Sequence, residues 1–545
     1  MRAVIPLRRL SLLFTAAFVL ALAPGAAAQS ELAVPGGTSL NDAIENDTNR
    51  PDDRVYVLDR DAYYGVTREI NNQGYTLRIK AADGEGNRPV IYPAPDNTGN
   101  TPGSRYFNLA GDTYFTGIYF LAVDPTQGEV ATSFALNDPG MRFVVEDCVF
   151  QGGRSRLIEI NVEDTDLFFT DSQFRNLVRN DGSSNGRPID YRTVTGDTLM
   201  VVNTSFLNIS GYLVRYDGPV LNTAIFEHVT VYGTGRELTT NAFATQVINY
   251  RFTNSLVVNP YGYGQAPEAN PDGVIQVDSL DADIDNGFAE SDRSIRIENN
   301  GYMITDDLQA YYDARTAQTP ADSLIAYLFL DTNIKEYASA DSTGDMIAIV
   351  ANNETYDIEF ASPPDLTDYI SYLNAFRDGA ADPGYWRFGE DDDNYFPADQ
   401  PPPEDLSYPS TSPAYTAAQG GYPLGDLNYF PALRAQWESE GGLSVAQEDA
   451  PEADGFVLRS AAPNPTSGAT TLRIDLDVTA TVTVDVYDTL GRQVLTVPAE
   501  TVPVGAGHSV RLDATALPSG LYVARVTAEA GGAVRSRTTR FTVVR

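Results

Sequence analysis

The sequence contains very little cysteine, lysine or histidine. Among its 545 residues, Cys148 is the single cysteine, Lys80 and Lys335 are the lysines, and His228 and His508 are the histidines. One cysteine excludes a disulfide within the chain. A catalytic thiolate needs a histidine or another activating group beside it, and histidine is almost absent. We therefore predict that Cys148 packs in the core and that His228 has a structural role.

Basic charge is also scarce. The chain has 37 Lys+Arg against 74 Asp+Glu, which gives a net charge of −37. Such an acidic, lysine-poor surface disfavours nucleic acid and anionic membranes as partners. It suits a salty medium, where high ionic strength screens the repulsion between like charges. A halophilic source is therefore a hypothesis.

Long apolar runs are absent, and the most apolar stretch lies at the start of the chain. Residues 1–28 combine three arginines, one short apolar run and a final trio of alanines. This is the pattern of a secretory signal peptide with a small-residue cleavage site. No later run is long enough for a membrane-spanning helix. We predict an exported protein whose mature chain has no membrane span.

An internal repeat of six residues dominates the middle of the chain. Its first and sixth places hold apolar or aromatic residues, and its third place holds Gly, Asp, Asn or His. Asn and Asp favour a bend at the third place, because they tolerate left-handed backbone angles and form local hydrogen bonds. The phrase recurs every 24 to 45 residues and begins at Phe115, Val145, Phe169, Val201, Phe226, Phe252 and Ile297.

A second, three-residue phrase precedes the first and alternates apolar, variable and apolar residues. It begins at Phe107, Phe134, Ile158, Ile189 and Val214. Such alternation is typical of a strand with one buried face. Two short strands per repeat cannot enclose a core alone, whereas stacked coils can. The repeat therefore predicts an all-β chain that folds as a right-handed parallel β-helix over residues 31–437.

Both ends of this region resemble those of a known superfamily. SLNDAIEN at 39–46 and RVYVLDRDAYY at 54–64 resemble the capping helix and first coil of pectate-lyase-like β-helix proteins, especially the chondroitinase-B-like and alginate-lyase-like branch. SPAYTAAQGGYPLGDLNYFP at 412–431 resembles the closing coil of that branch. The resemblance implies the fold and a role on polysaccharide. The same fold also serves hydrolases, esterases and inert stalks.

Two insertions interrupt the predicted coils, at about 260–295 and 303–380. The second insertion contains three segments with helix-like spacing, which begin at Asp306, Ala321 and Asp365. Apolar residues that recur every three to four positions indicate helices with one buried side. We expect these helices to form a lid or flank against the coils.

The first insertion contains acids with the spacing of a calcium loop. Asp281, Asp283, Asp285 and Asp292 occupy the first, third, fifth and twelfth places of one segment. Calcium prefers several oxygen ligands from one flexible turn. The match is imperfect, because glycine falls in the seventh place rather than the sixth. We predict a possible Ca²⁺ site, with a solvated acidic loop as the alternative.

The C-terminal segment has a different pattern. A linker without periodicity covers 438–455, and 456–545 contains alternating strands with Gly and Pro turns, which predict a small β-sandwich. Its motifs closely resemble the type A C-terminal sorting domain of type IX secretion. These motifs are Pro463-Asn464-Pro465, Tyr487-Asp488 with Gly491-Arg492, and Gly520-Leu521-Tyr522. The resemblance implies that residues 456–545 bind the type IX machinery and that the protein is secreted or attached to the outer-membrane surface.

Candidate functional residues follow from the register of the coils. Outward side chains of equivalent strands stack about 4.8 Å apart. The middle places of the three-residue phrase form one column, which consists of Asn108, Ala135, Glu159, Asp190 and Arg215. The places two residues later form a second column, which consists of Ala110, Asn137, Asn161, Arg192 and Asp217.

The resemblance implies lyase chemistry for these columns. Pectate-lyase-like relatives use an arginine base, which assigns catalysis to Arg192 or Arg215. The lysine of chondroitinase-B-like relatives is missing, since none occurs between Lys80 and Lys335. Alternatively, the charges form surface pairs across coils that each contribute little. The residues expected near substrate or cation are Asn108, Glu159, Asn161, Asp190 and Asp217.

Three functions stay open at this point. The first is a secreted β-helix that binds or processes extracellular polysaccharide. The second is a non-catalytic surface stalk or adhesin, which the missing lysine favours. The third is a Ca²⁺-dependent polysaccharide lyase with an arginine base. A glycoside hydrolase that uses Glu159 and Asp190 as an acid–base pair has less support, because no hydrolase motif accompanies them.

Overall fold

The structure of the protein is a computed structural model. Residues 1–29, which contain the predicted signal peptide, lie outside the described residues. The structure describes residues 30–102, 105–123, 132–179, 181–239, 247–267, 271–276, 293–320, 323–330, 334, 347–384, 386–388, 403–440, 442, 456–458, 461, 466–476, 478–488, 492–518, 520–530 and 533–543.

The described residues between 31 and 355 form coils that stack on one another. The coils contribute strands to a 17-stranded sheet and to a 6-stranded sheet, here called the long sheet and the short sheet. Neighbouring coils pair in parallel in both sheets. The predicted parallel β-helix is therefore confirmed.

The elements of this solenoid have the following bounds. The described α-helices are α1 (Leu40–Glu45), α2 (Asp306–Gln318), α3 (Thr367–Arg377) and α4 (Pro431–Ser439). The strands are β1 (Glu31–Val34), β2 (Val55–Leu58), β3 (Tyr63–Val66), β4 (Ile70–Asn71), β5 (Leu77–Ala81), β6 (Val90–Pro93), β7 (Phe107–Leu109), β8 (Thr113–Thr116), β9 (Tyr119–Leu121), β10 (Thr132–Leu136), β11 (Arg142–Glu146), β12 (Val149–Gln151), β13 (Arg156–Ile160), β14 (Thr165–Thr170), β15 (Gln173–Leu177), β16 (Arg187–Tyr191), β17 (Gly196–Ile209), β18 (Val214–Tyr216), β19 (Leu221–Thr234), β20 (Val247–Thr253), β21 (Leu256–Val258), β22 (Gly273–Ile275), β23 (Ser294–Met303), β24 (Leu328–Leu330) and β25 (Ile347–Thr355).

Stacked aromatic rings fill the interior of the coils. Phe120, Phe150, Phe174 and Phe206 are at most 1% exposed. Their rings stack face to face with centroids 4.8 to 5.1 Å apart. These residues are the sixth places of successive phrases, so equivalent places of the repeat become a line of rings along the solenoid. Burial of this apolar surface is the main force that holds the coils together.

Two columns of bends shape each coil. The third places of the phrase have φ between 44° and 73°, as predicted, and are Gly117, Asp147, Asp171, Asn203, His228, Asn254 and Asn299. A second left-handed column follows two residues after the sixth place and consists of Gly152, Asn176, Asn208, Gly233 and Asn259. Gly and Asn adopt this conformation at little cost, which explains why these residue types recur there.

Cys148 and His228 have the structural roles expected of them. Cys148 is buried, and its thiol donates to the Glu146 carbonyl at 3.2 Å. Burial raises the pKa of this thiol to about 12. His228 is completely buried at a bend, with its ring edge-on to Trp437. Burial lowers the pKa of the His228 imidazole, so the ring stays neutral in the core.

The predicted cap and the predicted insertions match the structure in part. Helix α1 begins after Ser39, whose hydroxyl accepts from the Asp42 amide, and it packs against the first coils as a cap. Helices α2 and α3 form the predicted flank. The prediction of a helix at 321–330 is wrong: Ile325 exchanges two backbone hydrogen bonds of 2.9 Å with Gln265, and β24 pairs with β22. Pairing with the first insertion satisfies this backbone in an extended form.

The solenoid continues into the segment predicted as the second insertion. Strand β25 pairs in register with β23, so that Val350 lies opposite Ile297. Asn352 has φ of 53°, which makes 350–355 a further copy of the six-residue phrase. The phrase starts with valine, as the copies at Val145 and Val201 do, but its sixth place holds the polar Thr355.

The segment 412–431 does not form a closing coil of strands. It contains three 3₁₀ turns, at Pro413–Thr416, Gln419–Gly421 and Leu427–Tyr429, and leads into α4. Residues 403–440, here called the strap, run along the first bend column. The Gln419 amide donates to Asn254 Oδ1 at 2.8 Å, and His228 Nδ1 lies 3.1 Å from the Gly425 carbonyl. The bends therefore serve as a docking edge for the strap.

The C-terminal region forms the predicted β-sandwich. Its two antiparallel sheets enclose a separate apolar core that includes Leu472, Val484 and Phe541. One sheet contains β26 (Phe456–Leu458), β27 (Ala469–Leu476) and β30 (Gly505–Asp513), and the other contains β28 (Ala480–Asp488), β29 (Gln493–Val502), β31 (Gly520–Ala530) and β32 (Ala533–Val543).

Candidate functional site

The outer surface of the short sheet carries the predicted columns, and we call it the short-sheet face. The register of β7, β10, β13, β16 and β18 aligns the first column as predicted from the sequence. Because the strands are parallel and in register, equivalent side chains of successive coils become neighbours. The aligned residues are Asn108, Ala135, Glu159, Asp190 and Arg215.

An amide ladder covers the N-terminal part of this face. Asn137 Nδ2 donates to Asn108 Oδ1 at 2.5 Å, and Asn161 Nδ2 donates to Asn137 Oδ1 at 3.2 Å. Asn137 uses one donor and one acceptor within the ladder, Asn108 only accepts and Asn161 only donates, so each amide keeps further hydrogen-bonding capacity. The ladder therefore offers polar groups at the spacing of the coils.

A buried carboxylate organises the C-terminal part of the face. The Asp190 side chain is 0% exposed and lies 3.0 Å from Arg187 Nε, 3.5 Å from Arg215 Nη1 and 3.6 Å from Arg192 Nη1. Burial raises the pKa of the Asp190 carboxyl, and the three guanidinium groups oppose that rise. Asp190 cannot reach solvent, so it holds the arginines in place rather than meeting a ligand directly.

Glu159 has a similar position one coil earlier. Its side chain is 9% exposed, and its Oε1 lies 2.8 Å from Arg156 Nε and 3.9 Å from Arg192 Nε. Arg215 also pairs with Asp217 at the edge of the face. Arg192 and Arg215, predicted as catalytic bases, are thus held among carboxylates. A guanidinium has no free lone pair that could accept a proton, so these side chains act as hydrogen-bond donors.

The face has a layered distribution of charge. The side chains of Arg156, Arg192 and Arg215 are 30%, 39% and 25% exposed, whereas Glu159 and Asp190 lie beneath them. Solvent therefore meets guanidinium groups first, although the chain as a whole is strongly acidic. Asp217 is the exposed carboxylate of this group, with 32% of its side chain accessible.

Sequence reasoning missed a third row of outward residues on this face. Arg156 and Arg187 pair in the strand register and form this row. Each lies three places before the carboxylate that it contacts, Arg156 before Glu159 and Arg187 before Asp190. The signal was present in the sequence as the residue two places before the three-residue phrase.

The predicted calcium ligands Asp281, Asp283, Asp285 and Asp292 lie outside the described residues. Within the described parts of the chain, no group of three or more His, Cys, Asp or Glu side chains could hold a metal ion. The same parts of the chain contain no helix that is long and apolar enough to cross a membrane.

Comparison with known proteins identifies the C-terminal region. Residues 460–537 match the family described as the secretion system C-terminal sorting domain. This confirms the predicted sorting domain and indicates a protein that is secreted and attached at the cell surface. No curated protein matched the chain in sequence.

One solved structure has a partial likeness to the solenoid. It is a mutant of the PL6 family alginate lyase AlyGC, 13% identical, with a TM-score of 0.36. The match covers 60% of this chain and 40% of that chain, so the chain aligns with well under half of the lyase's length.

Proposed function

We propose that the short-sheet face binds an anionic extracellular polysaccharide. The observation that carries this proposal is the layering of charge, with the partly exposed Arg156, Arg192 and Arg215 above the buried Glu159 and Asp190. A local layer of donors in a chain of net charge −37 concentrates positive potential on one face. The sorting domain supports the proposal, because it directs the protein to where such polymers occur.

The chemistry of the face suits a repeating carboxylated chain. Arginine recognises carboxylate and sulfate through charge-assisted, often bidentate, hydrogen bonds. The amides of Asn108, Asn137 and Asn161 add donors and acceptors for sugar hydroxyl groups. Coils about 4.8 Å apart present these groups at a regular spacing, which favours a polymer over a single small ligand.

Binding assays with defined polymers test the proposal. We expect the mature protein to bind alginate or polygalacturonate, measured by calorimetry and affinity electrophoresis, and to bind neutral glucans weakly. The double variant Arg192→Gln with Arg215→Gln should lose at least about tenfold in affinity, or about 1.4 kcal/mol. Arg68→Gln is the matched control, because Arg68 is 48% exposed and pairs with Asp42 and Glu45 on the capping helix.

The results of these binding assays distinguish a polysaccharide-binding face from a stalk or adhesin, and they test the Ca²⁺ role. Equal affinity of the double variant and the Arg68→Gln control would exclude the face as the binding site. Absence of binding to every polymer would favour the stalk or adhesin function. Repeating the titration with a chelator tests the proposed Ca²⁺ role of Asp281, Asp283, Asp285 and Asp292. Loss of affinity that added Ca²⁺ restores would support that role.

A further inference from the structure

A pocket lies at the N-terminal end of the solenoid, beside the short-sheet face. It has a volume of about 730 Å³ and is lined by residues of α1, of the loop at 47–52 and of the segment 69–76. Small-molecule sites in proteins usually have volumes of roughly 300 to 1,000 Å³. Asn71, one of the lining residues, lies opposite Asn108 in the register of β4 with β7. The pocket therefore extends the first column of the face by one coil.

Arg50 is the cationic residue that lines this pocket, and the fold holds its side chain in place. Its guanidinium stacks on the Tyr75 ring, with Cζ 3.7 Å from the ring centroid. Its Nε donates to the Tyr56 hydroxyl at 2.7 Å, and its Nη2 donates to the Ile44 carbonyl. The stack and the two hydrogen bonds fix the plane of the guanidinium before any ligand arrives.

Arg50 keeps donors for a ligand. A guanidinium has five N–H groups, and the described residues accept hydrogen bonds from two of those of Arg50. Among these residues it forms no ion pair, although the chain has 74 acidic residues. A fixed guanidinium with unused donors is suited to a carboxylate, which it binds through charge-assisted hydrogen bonds.

The carboxylates of the lining determine how much negative charge a ligand can carry. Glu45, Asp47 and Glu69 each lie at most 4.0 Å from an arginine outside the lining, whereas Asp52 has no such partner among the described residues. Asp52 repels a doubly charged group such as a phosphate more strongly than a single carboxylate. The carboxylate oxygens and the Thr48 hydroxyl also accept hydrogen bonds from ligand hydroxyl groups. The lining therefore suits a ligand with one carboxylate and several hydroxyl groups.

We propose that this pocket binds a small hydroxylated carboxylate, such as a sugar acid, with Arg50 as the partner of the carboxylate group. The inference goes beyond the proposed function, because it assigns a second site with its own arginine. The same chemistry occurs in a free sugar acid and in the last residue of a carboxylated polymer. The second source would place the polymer along the face and its end in the pocket, since Asn71 and Asn108 are neighbours in register.

Binding of small sugar acids by the full mature protein tests this site. Glucuronate and galacturonate are the probes, and glucose is the matched neutral ligand, because it lacks the carboxylate. Calorimetry and ligand-observed NMR measure the affinities. We expect the sugar acids to bind at least about tenfold more tightly than glucose, and Arg50→Gln to lower their affinity at least about tenfold.

Two further variants separate loss of the site from loss of the fold. Thr48 lines the pocket and is exposed, so Thr48→Trp fills the pocket without removing a core contact. It should lower the affinity for the sugar acids as Arg50→Gln does. Arg60→Gln is the matched control, because Arg60 also donates to backbone carbonyls, those of Ala82 and Gly86, but does not line the pocket. This control should bind the sugar acids as the wild type does.

A galacturonate trimer identifies the source of the ligand. Lower affinity of Arg50→Gln for the trimer supports a pocket that takes the end of a chain, whereas unchanged affinity supports a pocket for the free acid. The inference is overturned by a wild type that binds neither sugar acid, or by sugar acids that bind Arg50→Gln and Thr48→Trp as tightly as the wild type. Binding of the monomers does not require the short-sheet face, so a protein that binds no polymer contradicts the proposed function and leaves this test intact.

Discussion

Asp171 and Asp426 illustrate how burial at the residue scale changes a carboxyl group. Both lie where the strap crosses the first bend column, with Asp171 12% and Asp426 4% exposed. Arg434 Nη2 lies 2.7 Å from Asp171 Oδ2, and Ser205 Oγ donates to Asp426 Oδ2 at 2.6 Å. Burial, the largest cause, raises the pKa of Asp171 to about 7 and that of Asp426 to about 6. Each partner only moderates this rise.

These two carboxyl groups predict how stability depends on pH. An unfolded aspartate has a pKa of about 3.9, so the folded protein binds more protons between roughly pH 4 and 7. Their contribution to the unfolding free energy should therefore fall as the pH rises through this window. The upper limit of the fall is about 1.4 kcal/mol for every tenfold difference in proton affinity between the folded and unfolded chains. Urea unfolding of the wild type and of Asp171→Asn at pH 5 and pH 8 measures it.

Asp171→Asn should show a smaller loss of stability between the two pH values than the wild type. Asp83→Asn is the control, because that side chain is 97% exposed. An identical pH dependence in Asp171→Asn and the control would contradict the prediction.

At the scale of elements, close backbone approach determines how the flanking helices dock. A Cβ atom on Gly262 would lie 1.8 Å from the Tyr369 hydroxyl of α3, and one on Gly182 would lie 2.4 Å from the Phe376 ring. Tyr372 of the same helix is hydrogen-bonded to Tyr263 through their hydroxyl groups at 2.7 Å. Helix α3 therefore packs directly on the backbone of two coil loops.

Gly262→Ala should loosen this contact. The added methyl group must displace Tyr369, and overpacking of this kind costs about 1 to 3 kcal/mol of unfolding free energy. Gly468→Ala is the control, because its Cβ would meet only the Thr515 methyl group at 4.0 Å. Hydrogen exchange of α3 should accelerate in Gly262→Ala and not in the control. Unchanged protection of α3 in Gly262→Ala would show that the helix docks without this close approach.

At the scale of the whole molecule, acidic charge opposes the compact state. The net charge is −37, and the tail from 456 onward is nearly balanced, with nine arginines and seven acids. The excess of acid therefore lies on the solenoid and its insertions. Salt reduces the range of this repulsion from about 8 Å at physiological ionic strength to about 3 Å at 1 M.

The melting temperature of the mature protein should therefore rise with sodium chloride. Thermal unfolding at about 0.1 M and about 1 M salt measures the effect. Salt also screens the isolated ion pairs at the surface, but this should lower the melting temperature only slightly, because each pair contributes little to the unfolding free energy. A melting temperature that stays constant with added salt would contradict the prediction and the halophilic hypothesis together.

Particular residues show what could be predicted from the sequence and what could not. The bend column was predictable, because Asp and Asn at a fixed place of the phrase imply left-handed backbone. Strand β25 was missed, because the sixth place of its phrase holds the polar Thr355 rather than an apolar or aromatic residue. The role of Asp190 was also hidden, since a spacing does not tell which charges of a column are buried.

The sequence by itself determined the stacking of coils, the bends and the C-terminal sandwich. Equivalent positions of parallel, in-register coils must meet, so periodicity along the chain becomes proximity in space. Only the tertiary structure decided that arginines lie above carboxylates and that the strap docks on the bends. These features depend on side-chain reach and on contacts between segments more than 200 residues apart, such as Arg175 with Glu404, and no local pattern encodes them.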